Sequence, residues 1–349
     1  MRIFLIHTLP RDLALRYHLS VAASNFCQHL ISGHAFDQVY SVMPTFVMQR
    51  LQPFSGLMYW PMRRSRWLRK LAPVVENVML FRRIPSNASM WYYNCTILNA
   101  TLIILLKWFK PSVKQQMIIL DYTPSRKPAA RFFLWLTNRM NGTIRLADSP
   151  LFTVKNSMCL PGVVPPDGSQ YPIVKSPAME FLISGALGDN IAMLPLLLEA
   201  FSQLPELTLH ITGVAPDPEL VARYTRQCPN IIYHGMVAYE DYLRILHSTP
   251  FLLSTRNPAA PENQCNFPSK IIEALLHNRM IISTIHYPQL EGIRYFEVGA
   301  SLPAFLNDVR RIAALPAAEL LTYANQGEAV RRRFGVEVWK QAMERIENH

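Results

Sequence analysis

The stretch NFPSKIIE at residues 266–273 combines side chains that suit the binding of a phosphorylated ligand. Pro268 is favoured in the first turn of a helix, where its missing N–H costs nothing. The free backbone N–H groups near Ser269 and Lys270 would then face an anion, and Lys270 adds a full positive charge. Glu273 follows Ser269 by one helical turn and can accept hydrogen bonds from a ribose diol. An ordinary capped helix with a solvated lysine and glutamate explains the same spacing equally well.

Two further side chains are candidates for acid–base or hydroxyl-orienting chemistry. Asp121 follows a buried-strand pattern at residues 116–120, and His7 follows one at residues 3–6. A carboxylate or imidazole at a strand end can orient a hydroxyl group, or act as a base if a neighbour tunes its pKa. A hydrogen-bonded structural aspartate and a core histidine explain these two positions as well.

The charge of the chain is divided unevenly. Residues 1–175 hold 21 Lys and Arg against 6 Asp and Glu, a balance of +15, whereas residues 176–349 hold 14 against 18, a balance of −4. The basic half favours a phosphate-bearing partner such as an anionic lipid headgroup or a lipid diphosphate. The basic stretch at residues 63–70 suits the same partners, although a solvated face also explains it. No recognised RNA- or DNA-binding module is present, so nucleic acid is not an expected partner.

Cysteine usage and hydropathy restrict the class of protein further. The five cysteines are scattered singly, which predicts neither a zinc site nor a disulfide framework. We expect a cytoplasmic protein, since no secretory signal is recognised and the first residues form a strand pattern. The apolar run at residues 101–106 is too short to span a bilayer. With Trp108, Phe109 and the neighbouring lysines, both a buried helix and a helix lying on a membrane surface fit this run.

The elements that must position these side chains alternate between strand and helix patterns. A chain of 349 residues predicts two domains, each with its own core. The composition shifts at residues 161–177, PGVVPPDGSQYPIVKSP, which is typical of a linker. We therefore predict a first domain over residues 1–165, a second over residues 176–330, and a C-terminal helix within residues 331–349.

The second domain shows the clearest strand pattern. Four of its predicted strands end in or just before a small residue, among them Gly185, Gly213 and Gly235. Such endings suit an open parallel sheet whose carboxyl edge contacts a ligand. The pattern as a whole predicts an α/β fold with mostly parallel sheets.

The second half resembles the carboxyl-terminal domain of family-4 glycosyltransferases of the GT-B type, in particular bacterial polysaccharide transferases. The resemblance covers residues 161–287 and is strongest in FLISGAL (181–187), LTLHITG (207–213), NIIYHGMV (230–237) and NFPSKIIEALLHNRMIIST (266–284). It implies a GT-B fold, in which two Rossmann-like domains face each other across a cleft. The amino-terminal half matches far less specifically and lacks the usual Gly-Gly pair after its first strand.

The resemblance also implies roles for individual residues in binding a nucleotide-diphosphate sugar. Glu273 would hold the ribose hydroxyls, and Ser269 with Lys270 would hold the diphosphate. The motif residue Asn266 would contribute to the same site. The glycines would let the backbone approach the nucleotide, Gly185 directly and the other two toward its base and ribose end: Gly213 and Gly235.

The sequence departs from the family pattern at two places. The family usually carries two glutamates in this motif, and Cys265 replaces the first of them. The family also has a basic residue after the strand that ends at Gly185, where this chain has Asp189 and Asn190. Neutralisation of the diphosphate would then rest on Lys270, on helix starts or on another basic residue, for which Arg256 is the candidate. A solvated loop arginine is an equally ordinary interpretation of Arg256.

The resemblance implies a retaining, hexosyltransferase-type enzyme that uses no cofactor and no metal. The donor would be a nucleotide-diphosphate sugar, with UDP favoured by the family. The acceptor would be a lipid-linked or other glycan in O-antigen, capsule or exopolysaccharide synthesis, bound by the basic first domain at the inner face of an anionic membrane. Asp121 and His7 are the candidate catalytic residues of that domain. A nucleotide-sugar epimerase of the same fold and a non-catalytic sugar-nucleotide or lipid-binding protein remain as alternatives.

Overall fold

Contacts within the chain divide it into two compact units. Unit 1 comprises Met1–Asp167, Cys265–Phe267 and Phe334–His349, and unit 2 comprises Gly168–Gln264 and Pro268–Arg333. The predicted basic stretch at residues 63–70 and the candidate Asp121 lie outside the described residues. The computed structural model describes residues 1–9, 11, 14, 20–42, 71–94, 96–120, 122 and 124–349.

Unit 1 is built on a six-stranded sheet in the order β2-β1-β3-β4-β5-β6, with every neighbouring pair parallel. The order of the strands reverses between β1 and β3, which makes the carboxyl ends of these two strands the expected ligand site of the sheet. Four of the five residues of β1 are buried, as expected for a central strand that is covered on both faces. The strands are β1 (Arg2–Ile6), β2 (Gln38–Ser41), β3 (Ser89–Tyr93), β4 (Lys114–Ile119), β5 (Gly142–Arg145) and β6 (Ser157–Cys159).

Among the described residues, four helices lie between successive strands of this sheet, in the chain order of a doubly wound fold. Right-handed crossovers place α2, α3 and α4 on one face of the sheet and α1 on the other, because the chain moves in the opposite direction after β1. The helices are α1 (Val21–Ser32), α2 (Ala72–Arg83), α3 (Ile97–Phe109) and α4 (Pro128–Thr137).

The apolar sequence before and within residues 101–106 is divided between β3 and α3. Asn94 ends the strand in a left-handed conformation, with φ of 54°. Thr96 and Asn99 then form a capping box at the start of α3. The Thr96 side chain accepts a hydrogen bond from the backbone N–H of Asn99, and the Asn99 side chain accepts one from the backbone N–H of Thr96. Leu102 and Leu106 are fully buried under the helix, whereas Trp108 is 74% exposed at its end. Among the described residues no helix is both long and apolar enough to cross a membrane.

Unit 2 is built on a second six-stranded parallel sheet, in the order β12-β11-β10-β7-β8-β9. Counted from its own first strand this is the Rossmann order, and the direction reverses between β7 and β10. Every residue of β10 and β11 is buried. The strands are β7 (Glu180–Ala186), β8 (Thr208–Val214), β9 (Ile231–Gly235), β10 (Phe251–Ser254), β11 (Met280–Ser283) and β12 (Phe296–Glu297).

An apolar core of unit 2 joins helix residues such as Leu197, Phe201 and Phe305 to buried residues of the sheet. The long helix after β7 begins at Leu194. Met193 before it takes a left-handed conformation with φ of 46°, and Pro195 lies in the first turn. The helices are α5 (Asp189–Ala192), α6 (Leu194–Ser202), α7 (Pro218–Gln227), α8 (Tyr239–Ser248), α9 (Ser269–Leu276), α10 (Leu302–Ala313), α11 (Ala317–Leu320) and α12 (Gly327–Phe334).

The last helix, α13 (Val336–Asn348), belongs to unit 1. Its Trp339 packs edge-on against Phe26 of α1, with ring centroids 5.2 Å apart. The Glu347 carboxylate accepts hydrogen bonds from Arg2 Nε at 2.8 Å and from Trp91 Nε1 at 2.8 Å. The helix therefore lies beside α1 on the same face of the first sheet. The predicted α/β architecture of two Rossmann-like domains is confirmed in each unit.

Candidate functional site

The carboxyl edge of the second sheet is shaped by two glycines on adjacent strands. Gly185 and Gly213 are register partners, with φ of 103° and 127°. A Cβ atom on Gly213 would lie 2.1 Å from the carbonyl oxygen of Gly185, whereas a Cβ atom on Gly185 would meet nothing within 4 Å. Gly213 is therefore required by packing, while Gly185 leaves open space beside the backbone at the switch point. Gly235, the third predicted glycine, ends β9 at the outer side of the sheet.

Glu273 is held on α9 by three side chains. Its Oε1 accepts a hydrogen bond from the Tyr239 hydroxyl at 3.2 Å, and its Oε2 accepts one from the Tyr242 hydroxyl at 3.0 Å. The Nζ atom of Lys270 lies 2.8 Å from the same Oε2. Glu273 keeps 21% of its side chain exposed, so the carboxylate is fixed in place and still reachable from solvent.

The start of α9 carries positive potential. Pro268 is the N-cap residue, and no acidic side chain lies in the first turn. Ser269 is exposed, and the Lys270 ammonium lies 4.0 Å from the centre of the Tyr242 ring. Free N–H groups and a lysine at a helix start attract an anion, which the helix dipole further stabilises. The structure thus brings Ser269, Lys270 and Glu273 together on one short helix, as the spacing predicts.

Electrostatics keep the glutamate ionised. Burial by itself raises the pKa of Glu273, but the Lys270 ammonium and the Tyr242 hydrogen bond outweigh it, so the net pKa is lowered. Burial, together with the nearby Glu273 carboxylate, raises the pKa of Tyr242 well above its usual value. Tyr242 therefore stays a hydrogen-bond donor, and Glu273 stays an acceptor for hydroxyl groups, across the physiological pH range.

Arg256, just beyond the carboxyl end of β10, is fixed at both backbone and side chain. Its N–H donates to Thr284 Oγ1 at 2.7 Å, and that hydroxyl donates to the Arg256 carbonyl at 2.6 Å. Its guanidinium donates to Asn263 Oδ1 at 2.9 Å. Asn263 is buried and donates in turn to the carbonyl of Asn190, in the turn of α5 that follows β7. Arg256 is thereby held at the switch point between β7 and β10.

Asn266 and Cys265 make their contacts within unit 1. The Asn266 side-chain oxygen accepts a hydrogen bond from the Tyr122 N–H at 2.6 Å. Cys265 is buried, and its Sγ lies 3.4 Å from the Ser149 hydroxyl. Both residues therefore contact residues of unit 1. The Cys265 thiol, which replaces a glutamate of the family pattern, is not exposed.

His7 lies at the carboxyl edge of the first sheet, directly after β1. Its ring packs edge-on against Tyr93, the last residue of β3, with centroids 5.0 Å apart. These two strands flank the reversal of strand order, so the pair occupies the expected ligand position of unit 1. Burial lowers the pKa of His7 to about 4, which leaves the imidazole neutral at physiological pH.

Four residues that fix this site escaped the sequence analysis. Tyr239 and Tyr242 have a usable signal, because two tyrosines three residues apart lie on the same face of a helix. Asn263 and Thr284 have none, since their partners come from other strands and loops. In the part of the chain that the structure describes, no cluster of three or more His, Cys, Asp or Glu side chains could hold a metal ion.

Comparison with known proteins gives a structural answer only. No protein-family model matches the sequence, and no curated protein matches it either. Among solved structures, HepE of Anabaena in complex with UDP and glucose matches with a TM-score of 0.68 at 14% identity, over 99% of this chain and 98% of that one. Sucrose-phosphate synthase of Thermosynechococcus elongatus matches with a TM-score of 0.66 at 14% identity, over 100% and 98%.

A third solved structure matches over nearly the whole chain. AviGT4, a glycosyltransferase involved in avilamycin A biosynthesis, matches with a TM-score of 0.63 at 14% identity, over 99% of this chain and 97% of that one. At such low identity the likeness concerns the fold. Since both six-stranded units are included in each alignment, the chain has the GT-B fold of these glycosyltransferases.

Proposed function

We propose that the chain is a glycosyltransferase that moves a sugar from a nucleotide-diphosphate sugar to a glycan acceptor. The observation that carries the proposal is the fixed Glu273 carboxylate beside the positive start of α9, at the ligand-binding edge of a Rossmann-type sheet. An acceptor for two hydroxyls one helical turn from an anion site matches the ribose and diphosphate of a nucleotide. No other cluster among the described residues combines these two features at a switch point.

The donor would be held by residues with distinct roles, all of them in unit 2 except Asn266. Glu273 accepts hydrogen bonds from the ribose hydroxyls, and Ser269 and Lys270 contact the diphosphate. Arg256 supplies a second positive charge, held toward the switch point by Asn263. The open space beside Gly185 admits the nucleotide close to the backbone, while Gly213 and Gly235 border the base and ribose end, and Asn266 contributes from the motif.

UDP is the proposed nucleotide. Support comes from HepE, a structural match that has been solved with UDP and with UDP-glucose. The motif resemblance favours the same donor class and a retaining, hexosyltransferase-type reaction. We propose that the reaction requires neither a cofactor nor a metal ion, with the positive charge of Lys270 and Arg256 and the helix N–H groups serving the diphosphate.

In the proposed transfer the anomeric carbon exchanges its bond to the donor for a bond to the acceptor. The bond between the anomeric carbon and the diphosphate oxygen breaks, and the oxygen keeps the electron pair. The acceptor hydroxyl oxygen forms the new bond to the anomeric carbon, and its proton passes to the departing diphosphate. Fixed charge and N–H groups at the leaving oxygens lower the barrier because they are already oriented before the reaction begins.

The acceptor is proposed to bind unit 1. We propose that His7, which is neutral and packs on Tyr93 at the carboxyl edge, hydrogen-bonds an acceptor hydroxyl. Asp121 is the second proposed catalytic residue. The excess positive charge of the first half supports a lipid-linked glycan as acceptor, in O-antigen, capsule or exopolysaccharide synthesis, with a cytoplasmic enzyme that contacts the anionic inner face of the membrane.

Calorimetric titration of Glu273 variants with UDP tests the proposal. We expect Glu273→Gln to weaken UDP binding about 100-fold, because two charge-assisted hydrogen bonds to ribose are lost. The matched control is Glu240→Gln, an exposed carboxylate on the neighbouring α8. The amide keeps the shape of Glu273 and an acceptor for Tyr242, so unfolding should not mask the result. Wild-type affinity in Glu273→Gln, or no UDP binding by the unmodified chain, would contradict the proposal.

A further inference from the structure

The helices on one face of unit 1 leave a set of large apolar side chains exposed. In α3 these are Trp108 and Phe109, 74% and 66% exposed. Helix α4 adds Phe132 at 39% and Trp135 at 48%. Aromatic side chains of this size are seldom left in water without a function, because each exposes a large apolar area. The remaining members precede and line α2: Leu71, Val74 and Val78.

Contacts join the aromatic residues of α3 and α4 into one surface. Lys107 Nζ donates to the carbonyl oxygen of Arg139 at 3.2 Å, which brings the ends of the two helices together. The Arg139 guanidinium lies 4.0 Å from the centre of the Trp135 ring. Phe132 in turn stacks on Trp135, with centroids 5.9 Å apart and planes inclined by 20°.

The same surface continues onto α2. The Phe109 ring packs edge-on against Phe81, with centroids 6.2 Å apart. Lys110 Nζ lies 4.7 Å from the centre of the Phe81 ring and donates to the Phe81 carbonyl at 2.7 Å. Val78 lies one helical turn before Phe81 and extends the apolar stripe. We use the name aromatic–basic surface for these apolar residues and the cations beside them: Val78, Phe81, Trp108, Phe109, Phe132, Trp135, Lys107, Lys110 and Arg139.

The segment of the chain that carries the aromatic–basic surface is strongly basic. Residues 71–145 contain ten Lys and Arg and only two acidic residues, Glu76 and Asp121. Glu76 is 1% exposed and so adds no negative charge to the surface. Arg82 and Arg83 are exposed at the end of α2, next to the aromatic residues.

We propose that the aromatic–basic surface docks on a lipid bilayer that carries anionic headgroups. Trp and Phe rings rimmed by lysine and arginine are the composition that enters the interface of a bilayer, where rings reach the acyl boundary and cations remain among the phosphates. A second copy of the chain fits less well, because a twofold interface would bring two basic surfaces of the same sign together. The inference deepens the membrane contact of the proposed function, but it depends on none of the nucleotide-binding residues.

The location of the surface makes it separable from the ligand site of unit 1. Trp108, Phe109 and Trp135 lie at the carboxyl ends of α3 and α4, which is the edge of the sheet where the strands begin. His7 lies at the opposite edge, where β1 ends. Variants of the aromatic–basic surface therefore leave the proposed acceptor position unchanged.

Flotation with vesicles tests the inference. The full chain is mixed with vesicles of phosphatidylcholine alone or of phosphatidylcholine with phosphatidylglycerol, and the bound fraction is measured. We expect binding only with phosphatidylglycerol, and about tenfold weaker binding for Trp108→Ser combined with Phe109→Ser, because two apolar side chains no longer enter the interface. Lys107→Gln and Arg139→Gln should each weaken binding about fivefold and reduce its sensitivity to salt.

The matched control combines Ile173→Ser and Met236→Ser, which remove apolar residues of unit 2 that are 57% and 77% exposed. This control should bind vesicles like the unmodified chain. Equal binding by the aromatic variant, or a dimer in solution that the aromatic variant dissociates, would overturn the inference. UDP titration of the same variants separates the two proposals, because vesicle binding without UDP binding contradicts only the proposed function, and the reverse contradicts only this inference.

Discussion

The carboxyl edges of the two sheets are built from different chemistry. In unit 2 the edge holds a fixed ion pair, Lys270 with Glu273, and an arginine clamped by a buried asparagine. In unit 1 the described part of the edge holds a neutral histidine packed on a tyrosine. Fixed charges suit a ligand with a diphosphate and a diol, whereas neutral polar and aromatic groups suit a hydroxyl-bearing ligand. One fold repeated twice thus offers two distinct binding chemistries.

The largest expected effect concerns the close packing of strands at the unit 2 edge. Gly213→Ala should destabilise the fold by about 4 kcal/mol, because it adds strain at a positive φ to a clash with the Gly185 carbonyl. Urea unfolding followed by circular dichroism measures the loss. Gly188→Ala is the matched control, since its φ is ordinary and its added Cβ would approach only an Ile191 side-chain carbon, at 3.6 Å. Equal stability of the two variants would show that the close strand pair is dispensable.

The pH dependence of stability compares one histidine of each unit, half-buried His7 and buried His277. Burial lowers the pKa of His7, and of His277 in unit 2, to about 4 from 6.5. The unfolded chain then binds more protons between these values, so stability is full above pH 6.5 and falls as the pH drops to about 4. Each histidine accounts for no more than about 3 kcal/mol of this loss. The denaturant midpoint should fall less between pH 7 and pH 4 in His277→Gln than in the unmodified chain. An equal fall in both would contradict the lowered pKa of His277 as a cause of acid instability.

Lys270 tests whether the charge of the unit 2 edge serves the diphosphate. Lys270→Met keeps the length of the side chain and should weaken UDP binding about 30-fold, through loss of a charge-assisted hydrogen bond. Binding of uridine, which has no phosphate, should change little. Calorimetry with both ligands measures the difference, and Lys340→Met, at an exposed ion pair in unit 1, is the control. A similar loss for uridine would mean that Lys270 acts on the shape of the site instead.

His7 provides the smallest effect and the sharpest contrast between the units. His7→Asn should lower the rate of sugar transfer about tenfold while UDP affinity stays unchanged, because the neutral imidazole is proposed to orient only the acceptor. Initial rates with a lipid-linked glycan and UDP-sugar, combined with UDP titration, check both parts. A loss of UDP affinity in His7→Asn would remove the proposed division of labour.

Much of unit 2 could be predicted from the sequence. The strands predicted to end at Gly185, Gly213 and Gly235 are found as β7, β8 and β9, each ending within one residue of its glycine. Short runs of buried β-branched and leucine residues that end in glycine or serine give a strong local signal. The approach of Ser269, Lys270 and Glu273 was equally local, because all three share one helix. Their roles in ligand binding stay predictions.

Unit 1 was harder to predict because its signals are less local. The apolar run around residues 92–109 gave no strand boundary, since the break depends on Asn94 and a capping box at Thr96. Strands β5 and β6 escaped prediction, being only 4 and 3 residues long. The aromatic–basic surface escaped as well, because Lys107 and Arg139 are 32 positions apart and come into contact only through the packing of two helices.

The sequence by itself determined the alternation of strands and helices, the position of the phosphate-type helix start and the basic character of the first half. Each of these depends on residues within a few positions of one another, so local propensity and spacing suffice. Only the tertiary structure decided that two tyrosines of α8 hold Glu273, that Asn263 clamps Arg256, and that α13 returns to unit 1. These arrangements join residues far apart in the chain, and their geometry is set by the packing of whole elements, which no local pattern encodes.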